Sequence, residues 1–220
     1  MRASELITQR IPPLRPDDTV TRALDWMEEF KVEDLPVVEG GRLVGMVTDS
    51  ALVDRNDARA AVRSVMDSVE IPFVRESQHI YDVMKLISGR GLSVVPVVDM
   101  TGVYLGAVNE HEALHRLAQV MNIHEPGSVV VLEMAQTDYS LHEIARIVEG
   151  NDARVLSAFS HTDPDSTLVE VTLKINREDI SDILQSFERY EYKVTSTYQG
   201  SRFHDDLRDR YDELMRFIRM

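Results

Sequence analysis

Residues 111–115 read His-Glu-Ala-Leu-His, and this stretch has the residue types and spacing of a known metal site. On a helix, His111 and His115 would lie on one face and could ligate zinc, with Glu112 placed to act on a zinc-bound water. Such a site would make the chain a metal-dependent hydrolase. It also needs a third ligand from another part of the fold, so the hydrolase is kept as an alternative hypothesis.

The composition limits what other chemistry is available. The 220 residues include 38 acidic and 24 basic side chains, which gives a formal net charge of −14. This charge disfavours nucleic acid and anionic membrane surfaces, because both bind clustered Lys and Arg. The absence of Cys excludes disulfides, thiolate catalysis and Cys-ligated metals. No apolar run approaches the roughly 20 residues of a membrane span, so we expect a cytoplasmic protein without a required cofactor.

The first half of the chain contains one pattern twice. An apolar stretch with a central proline, residues 35–38, precedes residues 43–48, and residues 95–98 likewise precede residues 104–109. The copies lie about 60 residues apart, and a repeat at a fixed period indicates a duplicated supersecondary unit. Each copy predicts two short strands joined by a turn, with a helix after the second strand.

Further helices are predicted before the strands of each copy. Apolar residues at helical spacing predict one helix over residues 19–30 and another from Ile80 to Ile87. A short leading helix, predicted over residues 3–7 and 62–66, begins each copy. The predicted order is therefore a leading helix, a helix, two strands and a helix, in two copies.

This order, together with the Leu-Pro-Val-Val and Gly-Met-Val-Thr motifs, resembles the CBS-domain pair (Bateman module). The resemblance covers residues 1–120, with the first copy at 1–58 and the second copy at 59–120. It implies two clefts between the paired copies. In this family such clefts commonly bind AMP, ADP, ATP or S-adenosylmethionine as regulatory ligands, and two pairs usually stack as a homodimer.

The family's ligand motif is Gly-x-x-Thr/Ser-x-x-Asp, in which a hydroxyl and free amides hold phosphate and the carboxylate bridges the ribose hydroxyls. The first copy keeps Thr48 but has Ala51 at the carboxylate position, whereas the second copy has Asn109 and Glu112. Leu114 is predicted to pack inward on the same helix. As an alternative, Thr48 and Asn109 are simply helix caps. The residues that the resemblance places at a ligand are Ile11, Leu35, Pro36, Thr48, Ile71, Val95, Pro96, Asn109 and Glu112.

The second half of the chain predicts a different unit. Residues 121–127 are typical of a linker, and residues 128–199 predict the order β-α-β-β-α-β of a ferredoxin-like unit. The two helices are predicted over 140–149, closed by Gly150, and over 177–189. The apolar pattern places Leu141 among the inward-facing residues of the first helix, and the strand over 167–175 is predicted to alternate. The four strands are predicted over 128–134, 153–160, 167–175 and 192–198.

Placed after a CBS pair, this unit resembles an ACT domain, and the whole chain resembles the acetoin-utilisation accessory (AcuB) type. The fold class is therefore α+β. An ACT domain implies an effector such as an amino acid near the first strand-to-helix turn, yet residues 136–140 lack the glycine usual there. An oligomerisation module is the alternative for this unit.

The last 21 residues, 200–220, carry an apolar stripe at helical spacing. It predicts a terminal amphipathic helix that packs on the body of the protein or on a partner subunit. Its members are Phe203, Leu207, Tyr211, Leu214 and Ile218.

Together these patterns and the resemblance predict a non-enzymatic regulatory or sensor protein that binds a small ligand, expected to be an adenosyl nucleotide, in the clefts of the CBS pair. A homodimer and a separate target protein are the expected partners, with neither nucleic acid nor membrane. A ligand-free oligomerisation scaffold for a partner protein is the alternative.

Overall fold

The computed structural model describes residues 1–8, 10–55 and 57–199. The chain divides into two compact units, Met1–Leu117 and a second that begins at Ala118. The helix predicted over 200–220 lies outside the described residues. Within the described ranges, no helix is both long and apolar enough to cross a membrane.

The first unit contains the two copies, each built from a hairpin and flanking helices. Leu35 lies opposite Val47 in the first hairpin, and Val95 lies opposite Val108 in the second, so the register is the same. The elements of the first copy are α1 Val20–Phe30, β1 Asp34–Glu39, β2 Arg42–Thr48 and α2 Asp49–Arg55. Those of the second copy are β3 Val74–Arg75, α3 Ile80–Arg90, β4 Val94–Val98, β5 Tyr104–Asn109 and α4 Glu110–Val120.

The hairpin turns of the two copies use different chemistry. Gly40 and Gly41 have φ of 58° and 80°, the left-handed conformation that a two-residue hairpin turn requires. In the second copy, the Asp99 carboxylate accepts hydrogen bonds from the backbone N–H groups of Thr101 and Val103, both at 2.8 Å. The Val103 hydrogen bond is the main reason that the pKa of Asp99 lies below its usual value.

The leading segment of the first copy packs into the second copy. Ala3–Leu6 forms a short 3₁₀ turn in place of the longer helix predicted, and its apolar residues are buried in the core of the second copy. The backbone N–H of Ala3 donates to the carbonyl of Gln78 at 2.8 Å. Farther along, the N–H of Thr8 donates to the carbonyl of Ala107 at 2.9 Å.

The leading segment of the second copy packs into the first in the same way. Val62–Ser64 is again a 3₁₀ turn, and Val62 is fully buried in the core of the first copy. The N–H of Val62 donates to the carbonyl of Asp18 at 2.8 Å. Met46 and Asp67 exchange two backbone hydrogen bonds, at 3.0 and 2.8 Å. Each copy therefore completes its core with a segment from the other.

The exchange explains the glycine that marks each copy. A Cβ at Gly106, where φ is +150°, would collide with the side chain of Ile7. A Cβ at Gly45 would lie 2.8 Å from the carbonyl oxygen of Asp67. Glycine is needed at both positions because the exchanged segment crosses the strand in direct contact with its backbone.

The second unit is a four-stranded antiparallel sheet with two helices, in the strand order β7-β8-β6-β9. This is the ferredoxin-like arrangement, and the predicted order β-α-β-β-α-β is confirmed. Both helices contribute to one core with a single face of the sheet, through residues such as Ile144, Phe187 and Leu132. The elements are β6 Ser128–Ala135, α5 Leu141–Glu149, β7 Val155–His161, β8 Leu168–Ile175, α6 Ser181–Arg189 and β9 Lys193–Tyr198.

One prediction for this unit was wrong in detail. Leu141 is 46% exposed, because the first residue of a helix points its side chain back beyond the core. The predicted alternation of the third strand is confirmed, since Leu168 is 42% exposed and Val169 is buried. Gly150 caps α5 as predicted, with a right-handed φ of −65°, and the left-handed residue after the helix is Asp152, with φ 55°.

The second helix of this unit begins four residues later than predicted. Asp179 holds a turn before the helix, because its carboxylate accepts hydrogen bonds from the Ser181 backbone N–H at 3.1 Å and from the Ser181 hydroxyl at 2.8 Å. The helix therefore begins only at Ser181. These hydrogen bonds lower the pKa of Asp179. The preceding Ile180 is fully buried and anchors the turn in the core.

The exchanged segment makes a prediction for stability. Replacing Gly106→Ala forces an alanine into a disallowed φ and against Ile7, and we expect the free energy of unfolding to fall by roughly 2–4 kcal/mol. Gly89→Ala is the matched control, because Gly89 lies in helix α3 with no heavy atom near its added Cβ. The control should gain about 0.5–1 kcal/mol. Urea denaturation measures both, and equal midpoints would contradict the explanation.

Candidate functional site

A cavity of about 200 Å³ lies between the two copies, at the carboxyl end of β2. One wall comes from the first copy, through Met46, Thr48 and Ala51. The opposite wall comes from the second copy, through Pro72, Arg90 and Leu92. The remaining lining residues are Asp34, Val65, Asp67 and Glu70.

Thr48 has two roles in this cleft. Its Oγ1 accepts a hydrogen bond from the backbone N–H of Ala51 at 3.2 Å and lies 3.1 Å from the hydroxyl oxygen of Ser50. The side chain therefore caps helix α2, as the alternative interpretation predicted, and it also lines the cavity. Ala51 lines the cavity as well, so the position that holds a carboxylate in the family motif has none here.

The charge of the cleft is mainly negative. Asp34, Asp67 and Glu70 line it, and Arg90 is the one cation in its described lining. Arg90 lies 3.6 Å from Glu70, and both side chains are at least half exposed. Such an exposed pair stabilises the fold by at most about 1 kcal/mol, so Arg90 is held loosely.

A buried hydrogen-bond cluster ties the two copies together beside the cleft. The Asp34 carboxylate accepts hydrogen bonds from the Ser93 backbone N–H at 2.8 Å and from the Ser93 hydroxyl at 3.0 Å. The Ser93 Oγ in turn accepts from the backbone N–H groups of Glu33 and Asp34, at 2.8 and 3.0 Å. Both Asp34 and Ser93 are more than 90% buried.

Four charged residues of the cleft were not predicted from the sequence, namely Asp34, Asp67, Glu70 and Arg90. A signal existed only for Asp34, which stands at the head of a buried strand where the second copy has Val94. A charged residue at one of two equivalent buried positions indicates a specific partner. The sequence carries no comparable signal for Arg90.

In the second copy, the residues equivalent to Thr48 and Ala51 are Asn109 and Glu112, and both side chains already accept hydrogen bonds from helix α4. Asn109 Oδ1 accepts a hydrogen bond from the backbone N–H of Glu112 at 2.7 Å, so Asn109 caps helix α4. The Glu112 carboxylate accepts one from Arg116 Nε, also at 2.7 Å. A ribose at this position would therefore compete with Arg116 for the carboxylate.

The remaining predicted site residues lie mostly in the cores. Ile11 and Leu35 are buried in the core of the first copy, and Val95 is buried in that of the second. Pro36 and Pro96 are buried in β1 and β4. Ile71 is half-buried and directly precedes the cleft residue Pro72.

The metal-site motif lies on helix α4, as predicted, but residues 1–8, 10–55 and 57–199 supply no third ligand beside it. No group of three or more His, Cys, Asp or Glu side chains among the described residues could hold a metal ion. The Glu112 carboxylate is paired with Arg116 instead. The prediction that Leu114 packs inward was wrong, since Leu114 is 61% exposed and the buried residue of this helix is Ala113.

A larger groove of about 720 Å³ lies on the first copy and contains none of the predicted site residues. Its wall includes Trp26, with the Arg22 guanidinium 4.6 Å from the ring centre. Arg22 also pairs with Asp18 at 3.2 Å. The cation and the aromatic face in this groove are thus already satisfied by each other.

In the second unit, residues 136–140 form the first strand-to-helix turn. Gln136–Asp138 is a 3₁₀ turn, and the Ser140 hydroxyl caps α5 by accepting from the N–H of Glu143 at 3.3 Å. The Gln136 side chain donates to the carbonyl of Ser166 at 3.1 Å. Side-chain caps therefore organise this turn in the absence of a glycine.

Comparison with known proteins supports the architecture. Residues 3–56 and 62–119 match the family model of the CBS domain. Over 114 residues the chain is 24% identical to an uncharacterized protein of Methanocaldococcus jannaschii. The matched region is 52% of this chain but only 43% of that relative. The chain therefore spans less than half the length of this curated relative.

Two solved structures share the fold. A CBS domain pair/ACT domain protein from Thermotoga maritima superposes with a TM-score of 0.50 at 25% identity, over 55% of this chain and 99% of that one. A structure from Vibrio cholerae assigned to the acetoin utilization protein AcuB superposes with a TM-score of 0.50 at 16% identity, over 57% of this chain and 96% of that one. The expected combination of a CBS pair with an ACT-like unit is confirmed.

The buried cluster beside the cleft makes a testable prediction. Ser93→Ala removes a donor to the Asp34 carboxylate and an acceptor for two backbone N–H groups, so we expect the free energy of unfolding to fall by roughly 2–3 kcal/mol. Ser64→Ala, at an exposed serine whose hydroxyl donates to the carbonyl of Ala61, is the control. It should change stability by less than about 0.5 kcal/mol. Chemical denaturation that shows equal losses would contradict a special role for Ser93.

Proposed function

The chain belongs to the CBS-domain family, and we propose that it is a non-enzymatic regulatory protein that binds a small adenosyl ligand in the cleft around Thr48. One observation carries the proposal: Thr48 lines a cavity whose opposite wall, at Pro72 and Leu92, comes from the other copy. The apolar Met46 and Val65 complete a surface that suits a purine ring. The Thr48 hydroxyl and the Arg90 guanidinium supply polar contacts beside it.

The charges of the cleft favour a ligand with little negative charge. Three carboxylates, at Asp34, Asp67 and Glu70, oppose the single guanidinium of Arg90. A triphosphate would bring several negative charges close to these carboxylates, and such proximity of like charges is unfavourable. AMP brings fewer negative charges, and S-adenosylmethionine carries a positive sulfonium. We therefore place S-adenosylmethionine and AMP ahead of ADP and ATP.

The cleft at Thr48 is a better candidate than its counterpart at Asn109. The Thr48 hydroxyl is exposed to solvent in the cavity and holds only weak contacts at 3.1 and 3.2 Å. In the counterpart, the Asn109 side chain and the Glu112 carboxylate are held in hydrogen bonds of 2.7 Å. A ligand there must break a charged hydrogen bond before it forms its own, which reduces its net affinity.

The size of the cavity suggests how binding would act on the protein. A volume of about 200 Å³ lies below the roughly 300 Å³ at which ordinary ligand sites begin. An adenosyl ligand would thus enter fully only as the cleft widens. A ligand that prefers the wider arrangement shifts the population of the pair towards it, by as much as its affinity differs between the two arrangements. That shift is the signal we propose.

The proposed output is a contact with another protein molecule in the cytoplasm. Large apolar side chains are exposed on three helices of the first unit, at Val53, Tyr81 and Leu114. They support a homodimer formed through this helical surface, as in the stacked pairs of the family, with a separate target protein that reads the ligand state. If the cleft binds no ligand, the same surface supports the alternative, an oligomerisation scaffold.

Calorimetry with AMP, ADP, ATP and S-adenosylmethionine tests the proposal. We expect S-adenosylmethionine or AMP to bind more tightly than ATP, and Thr48→Ala to weaken that binding roughly tenfold, since it removes one polar contact. Thr19→Ala is the matched control, because Thr19 caps helix α1 in the same way but lies outside the cleft. It should lose similar stability with no change in affinity.

The outcomes separate the hypotheses. Equal loss of affinity in both threonine variants would assign the effect to helix capping rather than to ligand contact. A flat response to all four compounds at millimolar concentration would overturn the sensor proposal and favour the scaffold.

The missing carboxylate provides a second prediction. Ala51→Asp places an acid one turn beyond Thr48, where it could accept from both ribose hydroxyls, and we expect affinity for the best adenosyl ligand to rise about tenfold or more. Arg55→Gln, at the exposed end of the same helix and outside the cleft lining, changes the net charge by the same amount. Calorimetry should show no gain for this control. A gain in both variants, or in neither, would contradict the assigned ribose position.

A further inference from the structure

The sheet of the second unit has one face that its described helices do not cover. Helices α5 and α6 both pack on the face that carries Val130 and Leu173. Alternation along the strands places Val129 and Phe159 on the opposite face, here called the open face. Tyr198 lies directly opposite Val129 in the neighbouring strand, so it shares this face, and it is 63% exposed.

The open face carries an apolar cavity of about 160 Å³ at one corner. The linker forms its rim: the Ser157 hydroxyl donates to the carbonyl of Met121 at 2.9 Å, and the Asn122 side chain donates to the carbonyl of Leu156 at 3.0 Å. Ile123 of this linker lines the cavity yet is 56% exposed. The apolar side chains are therefore gathered around a space that no described residue fills.

We propose that residues 200–220 of the same chain cover the open face with their apolar stripe. Strand β9 ends at Tyr198, opposite Val129 on the wall of the cavity, so the chain leaves the described structure at this face. After Gln199 the sequence continues with Gly200 and Ser201, and glycine would permit the reversal that the proposal needs to carry the chain back over the sheet.

The dimensions of the segment and the face agree. The stripe from Phe203 to Ile218 would extend about 22 Å as a helix, at about 1.5 Å per residue. The four strands together are about 19 Å wide, at about 4.8 Å per strand. One helix laid across the strands would thus bring its apolar residues over the whole width of the sheet.

Tethering favours this occupant over another molecule of the protein. The segment is joined to the sheet by only a few residues, which gives it an effective concentration on the order of millimolar at the open face. A second molecule at micromolar concentration would have to displace it.

The absence of Cys from the chain allows a direct test by cross-linking of the full-length protein. Thr172→Cys introduces a thiol at the centre of the open face, and Leu214→Cys introduces one on the stripe. The matched control combines Thr172→Cys with Asp212→Cys, on the polar side of the same segment. We expect a short bis-maleimide to cross-link the first pair within one chain at least fivefold faster than the control pair.

Mixing the two single-cysteine proteins shows which chain is the occupant. If the two single-cysteine proteins cross-link to each other as fast as the double variant cross-links within one chain, another molecule covers the face and the proposal is overturned. Equal cross-linking rates for the stripe pair and the control pair would also overturn it. In a second measurement, Leu207→Asp combined with Leu214→Asp should increase binding of a hydrophobic dye to the intact protein several-fold. Asp205→Asn combined with Asp212→Asn should not, and equal dye binding in both variants would also overturn the proposal.

Discussion

The exchange of leading segments between the two copies is the constraint on which the first unit depends. The backbone hydrogen bonds that join Thr8 to Ala107, and Met46 to Asp67, place a segment of each copy against a strand of the other. Leu6 and Val62 are buried in the core of the opposite copy. Neither copy therefore has a complete core alone, and the cleft between them is a necessary product of folding.

The same exchange determines the composition of the cleft. It brings the segment around Asp67 and Pro72 over the end of β2, so a wall of the second copy faces Thr48 of the first. The Asp34–Ser93 cluster then joins the two copies beside this wall, with the Asp34 carboxylate satisfied by two donors. Because its hydrogen bonds hold the buried Asp34 carboxylate in place, this acid is a fixed part of the negative lining of the cleft.

The two copies share a backbone but have diverged in chemistry. Thr48 and Asn109 cap equivalent helices, yet Ala51 replaces a carboxylate in one cleft and Arg116 engages Glu112 in the other. Under the proposed function, the cleft at Thr48 would therefore bind a ligand more readily than the cleft at Asn109, and regulation would need only one of the two. The HExxH spacing on α4 illustrates the reverse case, in which a motif matches a chemistry whose third ligand the described part of the chain does not supply.

The sequence by itself determined the duplication, the order of the elements in both units and the caps at Thr48 and Asn109, because periodicity and capping depend on residues a few positions apart. The exposure of Leu141 departed from prediction, because its position at the start of a helix decided which way its side chain points. Only the tertiary structure decided the exchange of the leading segments, the Asp34–Ser93 cluster and the presence of Arg90 in the same cavity as Thr48. Those contacts join positions tens of residues apart, and no local pattern encodes which distant backbone a segment will cross.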